Sequence, residues 1–354
     1  MEAPVRFAII GLGSIARTHI QAIEQIPDAQ VTVICTRNAE NGQAMAARCG
    51  AQWTANVDAT LHRNDVDVAA ICTPSGLHLE PALAAIAAGK HLLVEKPLEI
   101  TLARIDQMLA AAEEAGVMVA CVFQQRFAQG VRRAKAALEA GRLGPLALAD
   151  AYVKWYRPPA YYNGSWHGTW QLDGGGALIN QSIHTIDLLQ WLAGPVTSVF
   201  GHIATLAHSG METEDTASAV LTFAGGAMGV IQGATSCWPG DSARLELHGD
   251  RGTIILEEGQ IVKWKLADAA PGEEERLLHL ESGTGSGASD PKAIGFELHR
   301  RQIADLVEAI RETRAPAVPG AEGRKAVEII RAIYRSARTG ELVRLPLRAD
   351  RDSE

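Results

Sequence analysis

Long apolar runs are missing from this sequence: no stretch approaches the roughly 20 apolar residues that a membrane span requires. The first apolar run is short and opens a strand, which does not fit a signal peptide. A basic excess is missing too. Lys and Arg number 33 against 41 Asp and Glu, and the net charge of −8 excludes a general nucleic-acid or anionic-membrane footprint while leaving room for a local phosphate pocket. The five cysteines (Cys35, Cys49, Cys72, Cys121 and Cys237) form no CxxC and no paired spacing, and three of them lie in apolar runs, the pattern of buried, reduced thiols. Aromatic residues make up 5% of the chain, so any local cluster of them stands out. These absences lead us to expect a cytoplasmic protein whose partners are small molecules, with neither nucleic acid nor membrane among them.

What is present is enough apolar residue, 47% of 354 positions, to build a core in each of two domains. From Val5 to about Arg126, short apolar runs ("VRFAIIG", "VTVICT", "VDVAAICT", "HLLVE", "VMVACVF") alternate with amphipathic segments that end at glycine. Strands so uniformly apolar are buried on both faces, which predicts a doubly wound parallel sheet wrapped by helices, an α/β Rossmann domain over residues 1–122. Residues 123–354 read differently. Period-two strands ("ALADAYVKWY", "VTSVFGHIATLAH", "TASAVLTFAGGAMGVIQGATS", "ARLELHGDRGTIILEEG", "QIVKWKL") predict an α+β domain with an open, largely antiparallel sheet, and its Tyr/Trp-rich segment and bare sheet face make it the expected substrate-binding and oligomerisation domain. Two helices are expected near the end, after a Gly/Ser-rich loop, "ESGTGSGASDP".

"IIGLGSIARTH" places Gly11, Gly13, Ser14, Ile15 and Ala16 in a GxGxxA turn between the first strand and the first helix. Glycine closes the turn and admits a pyrophosphate, Ala16 permits close packing, and the helix N-terminus supplies N–H donors. The second strand ends about 20 residues later, where dinucleotide sites read the ribose. An NAD site usually carries an acid there; this chain has Thr36 and Arg37. Arg37 could stack on adenine or pair with a 2′-phosphate, so NAD(P) is expected, with a lean to NADP.

In "LLVEKPLEI" the charged Glu95 and Lys96 interrupt an apolar strand at its carboxyl end, where doubly wound folds bind ligands. A cation there can hydrogen-bond the oxygen of a reacting carbinol. In "NQSIHTID", Asn180, His184 and Asp187 are spaced by four and three residues, which predicts one shared helical face, and histidine suits proton transfer near neutral pH. A metal bound by the His/Asp pair would need a third ligand, and none has the right spacing; no metal is expected. The cluster "YVKWYRPPAYYNGSWHGTWQLDGGG" brings Tyr161 and Trp166 near Arg157, and offers either a sugar platform or a packed lid or subunit interface.

These segments together resemble the Gfo/Idh/MocA family of nicotinamide-dependent sugar and polyol oxidoreductases. The resemblance rests on the Gly11/Gly13/Ala16 turn, "CTPSGLH" at 72–78, "AGKHLLVEKP" at 88–97, "QQRF" at 124–127, "DGGGALINQSIHTIDLLQWLAGP" at 173–195 and the closing "AIYRSARTGELVRLP". It implies that Thr73, Pro74, His78, Glu95 and Lys96 border the cofactor. It further implies that Lys96 and His184 are catalytic, and that Arg157, Tyr161, Trp166 and Asn180 join them in binding substrate. The family pattern has a carboxylate where this chain has Asn180, which concentrates acid/base work on His184, assisted by Lys96. The aromatic loop is similar to the branch containing UDP-N-acetylglucosaminuronate dehydrogenases, in which Lys154 and Arg157 could meet a carboxylate or phosphate. A dehydrogenase of a sugar, sugar nucleotide or polyol is expected, probed against two alternatives: a keto-sugar reductase using the same residues, and a non-catalytic dinucleotide-binding regulator. An open sheet with one bare face also predicts a homo-oligomer, a dimer or tetramer.

Overall fold

The computed structural model describes residues 3–278 and 295–347. The chain divides into two compact units: Met1–Gln124 with Gly295–Arg324, and Gln125–Ile294 with Lys325–Glu354.

The first unit is built on six parallel strands, β1 (Val5–Ile10), β2 (Ala29–Cys35), β3 (Gln52–Thr54), β4 (Val68–Ile71), β5 (His91–Val94) and β6 (Val119–Cys121), in the order β3-β2-β1-β4-β5-β6. This is the doubly wound order expected from the apolar runs, with its switch point between β1 and β4. Phe7 to Ile10 and Val68 to Ile71 are all buried, because a parallel strand in mid-sheet is covered on both faces. Five helices join these strands: α1 (Ser14–Glu24), α2 (Ala39–Cys49), α3 (Val57–Leu61), α4 (Leu79–Ala87) and α5 (Leu102–Ala115). Their ends follow local chemistry. The Asn38 side chain accepts from the Asn41 N–H at the start of α2, and Gly50 and Gly116 close α2 and α5 in the left-handed conformation that favours glycine.

The second unit carries α6 (Gln129–Glu139), strand β7 (Leu146–Lys154), a π-helical stretch Ala177–Ser182 leading into α7 (Ile183–Ala193), and strands β8 (Val196–Ala204), β9 (Thr216–Phe223), β10 (Met228–Ala234), β11 (Arg244–Gly249), β12 (Gly252–Glu257) and β13 (Gln260–Leu266), followed by α8 (Glu273–Leu278). With the short β14 (Val343–Arg344) they form an eight-stranded sheet, β13-β12-β11-β7-β10-β9-β8-β14, antiparallel except where β7 and β10 run parallel. β9 shows the reason for the alternation: Ala217, Ala219, Leu221 and Phe223 are buried, and Ser218, Val220 and Thr222 face outward. On that outward face Phe200, Val220 and Val230 lie opposite one another, and Met228 lies opposite Leu148.

Helix α9 (Glu297–Glu312) brings Ile303, Leu306 and Val307 into the apolar core around Phe7, Ile20 and Ile23. The amide of Gln302 donates to the Cys121 carbonyl at 2.6 Å, and Pro319 bridges to Ala120, so the returning segment is stitched to β6. Helix α10 (Gly320–Thr339) begins in this unit, where Arg324 pairs with Asp106 at 2.5 Å. The Gly/Ser-rich stretch at 281–291 lies outside the described residues. Among the described residues no helix is long and apolar enough to cross a membrane.

Candidate active site

In the first unit, strand order gathers the expected nucleotide residues at one edge of the sheet. Gly11 follows β1, Thr36 and Arg37 follow β2, Thr73 and Pro74 follow β4, and Glu95 and Lys96 follow β5, all at carboxyl ends of parallel strands. Gly11 has φ +90°, and a Cβ there would lie 2.7 Å from the Cys72 carbonyl oxygen, so the turn admits no other residue without strain. Gly13 differs: a Cβ would meet no protein atom within 4 Å, so the fold itself makes no demand for glycine. Helix α1 begins at Ser14 with no side-chain cap and no acid in its first turn, leaving its N–H donors and positive dipole end uncompensated by side chains. Ile15 packs against the core, and Ala16 is fully buried. These features fit a dinucleotide pyrophosphate. Arg37 is exposed and Thr36 half-buried, with the Thr36 carbonyl accepting from the Trp53 indole at 3.1 Å.

His78 is buried between the loops that follow β4 and β5, its ring nitrogens 3.0 Å from the carbonyl oxygens of Thr73 and Pro97, and burial pushes its pKa down. It ties the Thr73 loop to the Lys96 loop from within. Glu95 is buried as well. Its carboxylate accepts from the Lys96 N–H at 3.1 Å and meets the His19 ring at 2.6 Å. Burial would raise that carboxyl, but the His19 hydrogen bond and charge, with smaller contributions from His299 and Lys96, outweigh it and hold the group at about 2. Lys96 is the one residue of 92–100 that is not buried.

In the second unit the expectation of one face for Asn180, His184 and Asp187 needs correction. Asn180 sits in the π-helical turn, whose i→i+5 bonding departs from the 3.6-residue period, while His184 and Asp187 sit in α7. Three α-helical residues fall about 60° short of a turn, and that step carries Asp187 inward. There Arg126 grips it with two bonds of 2.6 and 2.8 Å, both side chains being almost fully buried. Across residues 173–190, Asn180 and His184 alone are not buried.

A hydrogen-bonded chain orients Asn180. The Arg157 guanidinium donates to Gln181 Oε1 at 2.8 Å, Gln181 Nε2 donates to Asn180 Oδ1 at 2.7 Å and to the Tyr161 hydroxyl at 3.0 Å, and Asn180 Nδ2 donates to the buried Asp173 carboxylate at 2.5 Å. Arg157 is 1% exposed, with its guanidinium 5.0 Å from the Trp155 ring and 5.7 Å from the Tyr161 ring. Lys154 is exposed, 5.2 Å from the Tyr152 ring, so it does not share the buried surroundings of Arg157. Trp166 is half-buried and stacks on His167 with centroids 4.1 Å apart.

His19, Arg126, Asp173, Gln181, Glu214 and His299 were not singled out from the sequence as site residues. A signal existed for His19, which lies three residues after Ala16 on the buried face of α1. Arg126, Glu214 and His299 depend on partners far away in the chain, whereas Asp173 bonds Gly168 and Asn180 close by in sequence.

Residues 5–123 match the oxidoreductase family with an NAD-binding Rossmann fold, and residues 131–255 match the GFO/IDH/MocA C-terminal domain. The WlbA dehydrogenase of Bordetella pertussis, solved with NADH and UDP-GlcNAcA, is 34% identical with a TM-score of 0.86, over 98% of this chain and 100% of that one. Myo-inositol 2-dehydrogenase of Thermotoga maritima is 26% identical over 96% of this chain and 98% of its own. The 1,5-anhydro-D-fructose reductase of Ensifer adhaerens is 28% identical over 95% and 97%. With both units matched by the same family and a relative of this identity along nearly the whole chain, the protein belongs to the GFO/IDH/MocA family and is an oxidoreductase with an NAD-binding Rossmann domain.

Proposed function

We propose that this oxidoreductase is a dehydrogenase that oxidises a secondary hydroxyl of a sugar, sugar nucleotide or polyol. The observation that carries the reading is selective exposure. In each unit the buried backbone of the expected site presents to solvent the side chains that the chemistry needs: Lys96 from 92–100, and Asn180 and His184 from 173–190. Both stretches are otherwise buried, so what reaches the surface is a cation, an amide and an imidazole.

In this reading Gly11, Gly13, Ser14, Ile15 and Ala16 hold the cofactor's pyrophosphate, and Thr36, Arg37, Thr73 and Pro74 flank its nucleoside portions, with His78 and Glu95 holding the loops in place. The bound nicotinamide supplies the hydride acceptor. Lys96 donates a hydrogen bond to the carbinol oxygen and favours the alkoxide-like state as C–H cleavage proceeds. His184 takes the hydroxyl proton, and Asn180, held by Gln181 and Asp173, bonds a neighbouring hydroxyl. Tyr161 and Trp166 contribute apolar ring faces, and Arg157 acts behind them by orienting Gln181. The uronic-acid sugar nucleotide held by the Bordetella relative is the first substrate to try. NADP is proposed to serve at least as well as NAD, since Thr36 and exposed Arg37 offer no carboxylate to repel a 2′-phosphate. The cofactor in the Bordetella complex, NADH, shows what that relative takes. The same residues run a ketone reduction in reverse, the direction named for the Ensifer relative. The exposed apolar pairs Phe200–Val220 and Leu148–Met228 support pairing of two copies through the second unit's sheet.

The test is turnover of the purified protein with NAD or NADP and a panel of sugars, polyols and UDP-sugar uronates, followed by nicotinamide absorbance. Cofactor binding without reduction by any member would favour a non-catalytic regulator.

A further inference from the structure

Glu214 lies just before β9 and is 1% exposed. Its carboxyl group accepts from the Gly176 N–H at 3.0 Å, the Leu178 N–H at 2.8 Å and the Tyr334 hydroxyl at 2.9 Å, and its main-chain carbonyl accepts from the Ala177 N–H at 2.9 Å. Three consecutive N–H groups therefore end on one residue. They belong to the first turn of the segment that carries Asn180 and His184, where helical N–H groups have no partner within the helix. The fit is close: a Cβ at Gly176 would lie 1.9 Å from the Glu214 carbonyl oxygen, and one at Gly175 would lie 2.1 Å from the Tyr334 hydroxyl.

We propose that Glu214 is a positioning residue for the reaction: its carboxyl group and Tyr334 clamp the start of the π-helical turn and so fix the reach of Asn180 and His184. The proposal rests on the dehydrogenase reading of those two residues. The clamp is also sensitive to pH. Burial pushes the Glu214 carboxyl up to about 7, against the opposing effects of the Leu178 and Gly176 N–H groups and the Tyr334 hydroxyl. A group that holds its proton more tightly in the closed clamp than in water favours the closed form while protonated, so the clamp loosens as pH rises through 7. Three other titratable groups lie on the segments it touches. Tyr334, from α10, is pushed well up by burial and by Glu214; Asp173 precedes the glycines; Asp215, next in the chain, has its carboxylate engaged by the Leu206, Ala207 and His208 N–H groups.

Two measurements on the full chain test this. Hydrogen exchange of the Gly176 and Leu178 amides needs no activity: corrected for intrinsic rate, opening should increase about tenfold between pH 6 and 8 in the native protein and lose that pH dependence in Glu214→Gln, which keeps one accepting oxygen and has no proton to release. In Tyr334→Phe, which removes a donor to the ionised form, the rise should shift to higher pH by half a unit or more. Kinetically, Glu214→Ala should lower kcat/KM for the sugar at least tenfold with NAD(P) affinity within twofold of native, and Glu214→Gln, which keeps one of the two accepting oxygens, should restore part of the loss. Exchange that follows intrinsic rates alone, or that is unmoved by both variants, overturns the clamp whether or not a substrate is known. A pH limb in turnover that survives in Glu214→Gln belongs to another group, His184 among them, and overturns the positioning role while leaving the dehydrogenase reading intact.

Discussion

Replacing His19 with leucine isolates the buried hydrogen bond behind Lys96. Its side chain and that of Glu95 are 1% and 7% exposed, and they meet at 2.6 Å. With Glu95 held at about 2 against an ordinary 4.5, the difference is about 2.5 pH units, or roughly 3 kcal/mol at 1.36 kcal/mol per unit. The sign follows from the depressed value: the native protein has this contribution above pH 4.5 and loses it as pH falls toward 2. In His19→Leu the carboxylate stays buried with the Lys96 N–H but without the His19 ring, which costs about 3–5 kcal/mol at pH 7. Burial then dominates and raises the carboxyl above its ordinary value, so acidification relieves the variant while it weakens the native pair. The gap between the two proteins should accordingly shrink to about 1–2 kcal/mol near pH 4. Urea unfolding, combined with hydrogen exchange at the amides of Phe7 to Ile10, reads the stability of the first unit. A gap below about 1 kcal/mol at pH 7, or one that does not narrow on acidification, would refute the argument.

Lys96→Met and His184→Ala should each lower turnover by about 10²-fold or more while calorimetry finds cofactor affinity largely kept; near-normal turnover in both would remove the mechanism. Gly11→Ala, whose methyl group would meet the Cys72 carbonyl at 2.7 Å with φ +90°, should weaken NAD(P) binding at least tenfold and lower the melting temperature, and unchanged values for both would show that the turn adapts. Arg37→Ala should cost NADP affinity about tenfold and NAD affinity little, and native binding that favours NAD tenfold would end the NADP preference. Met228→Glu combined with Val220→Lys should shift sedimentation toward monomer if copies pair through the exposed sheet face, and an unchanged sedimentation profile would place any interface elsewhere.

What the sequence determined by itself is what local chemistry encodes. The order of strands and helices in the first unit follows from apolar runs and glycine stops, because a strand buried on both faces tolerates little else. The phosphate turn follows from Gly11 and Gly13 between a strand and a helix, and Lys96 stands out as a charge at a buried strand's end. The alternation in β9 reveals which sheet face is covered. Tertiary structure decided the rest, since burial and pairing depend on residues that the chain brings back from a distance. Nothing within "NQSIHTID" signals a π-helical turn, and the N–H groups at its start end on Glu214, 36 residues beyond Leu178, a partner that local pattern cannot supply. Asp187 matches the helical spacing of His184, yet Arg126, 61 residues earlier, draws it into the interior. Glu95 meets His19 across 76 residues, and α9 returns to pack against α1 after the whole second sheet has been made. Periodicity reports which face of an element is apolar; only the assembled fold decides which polar side chains on it are gripped and which, like Lys96, Asn180 and His184, reach the surface.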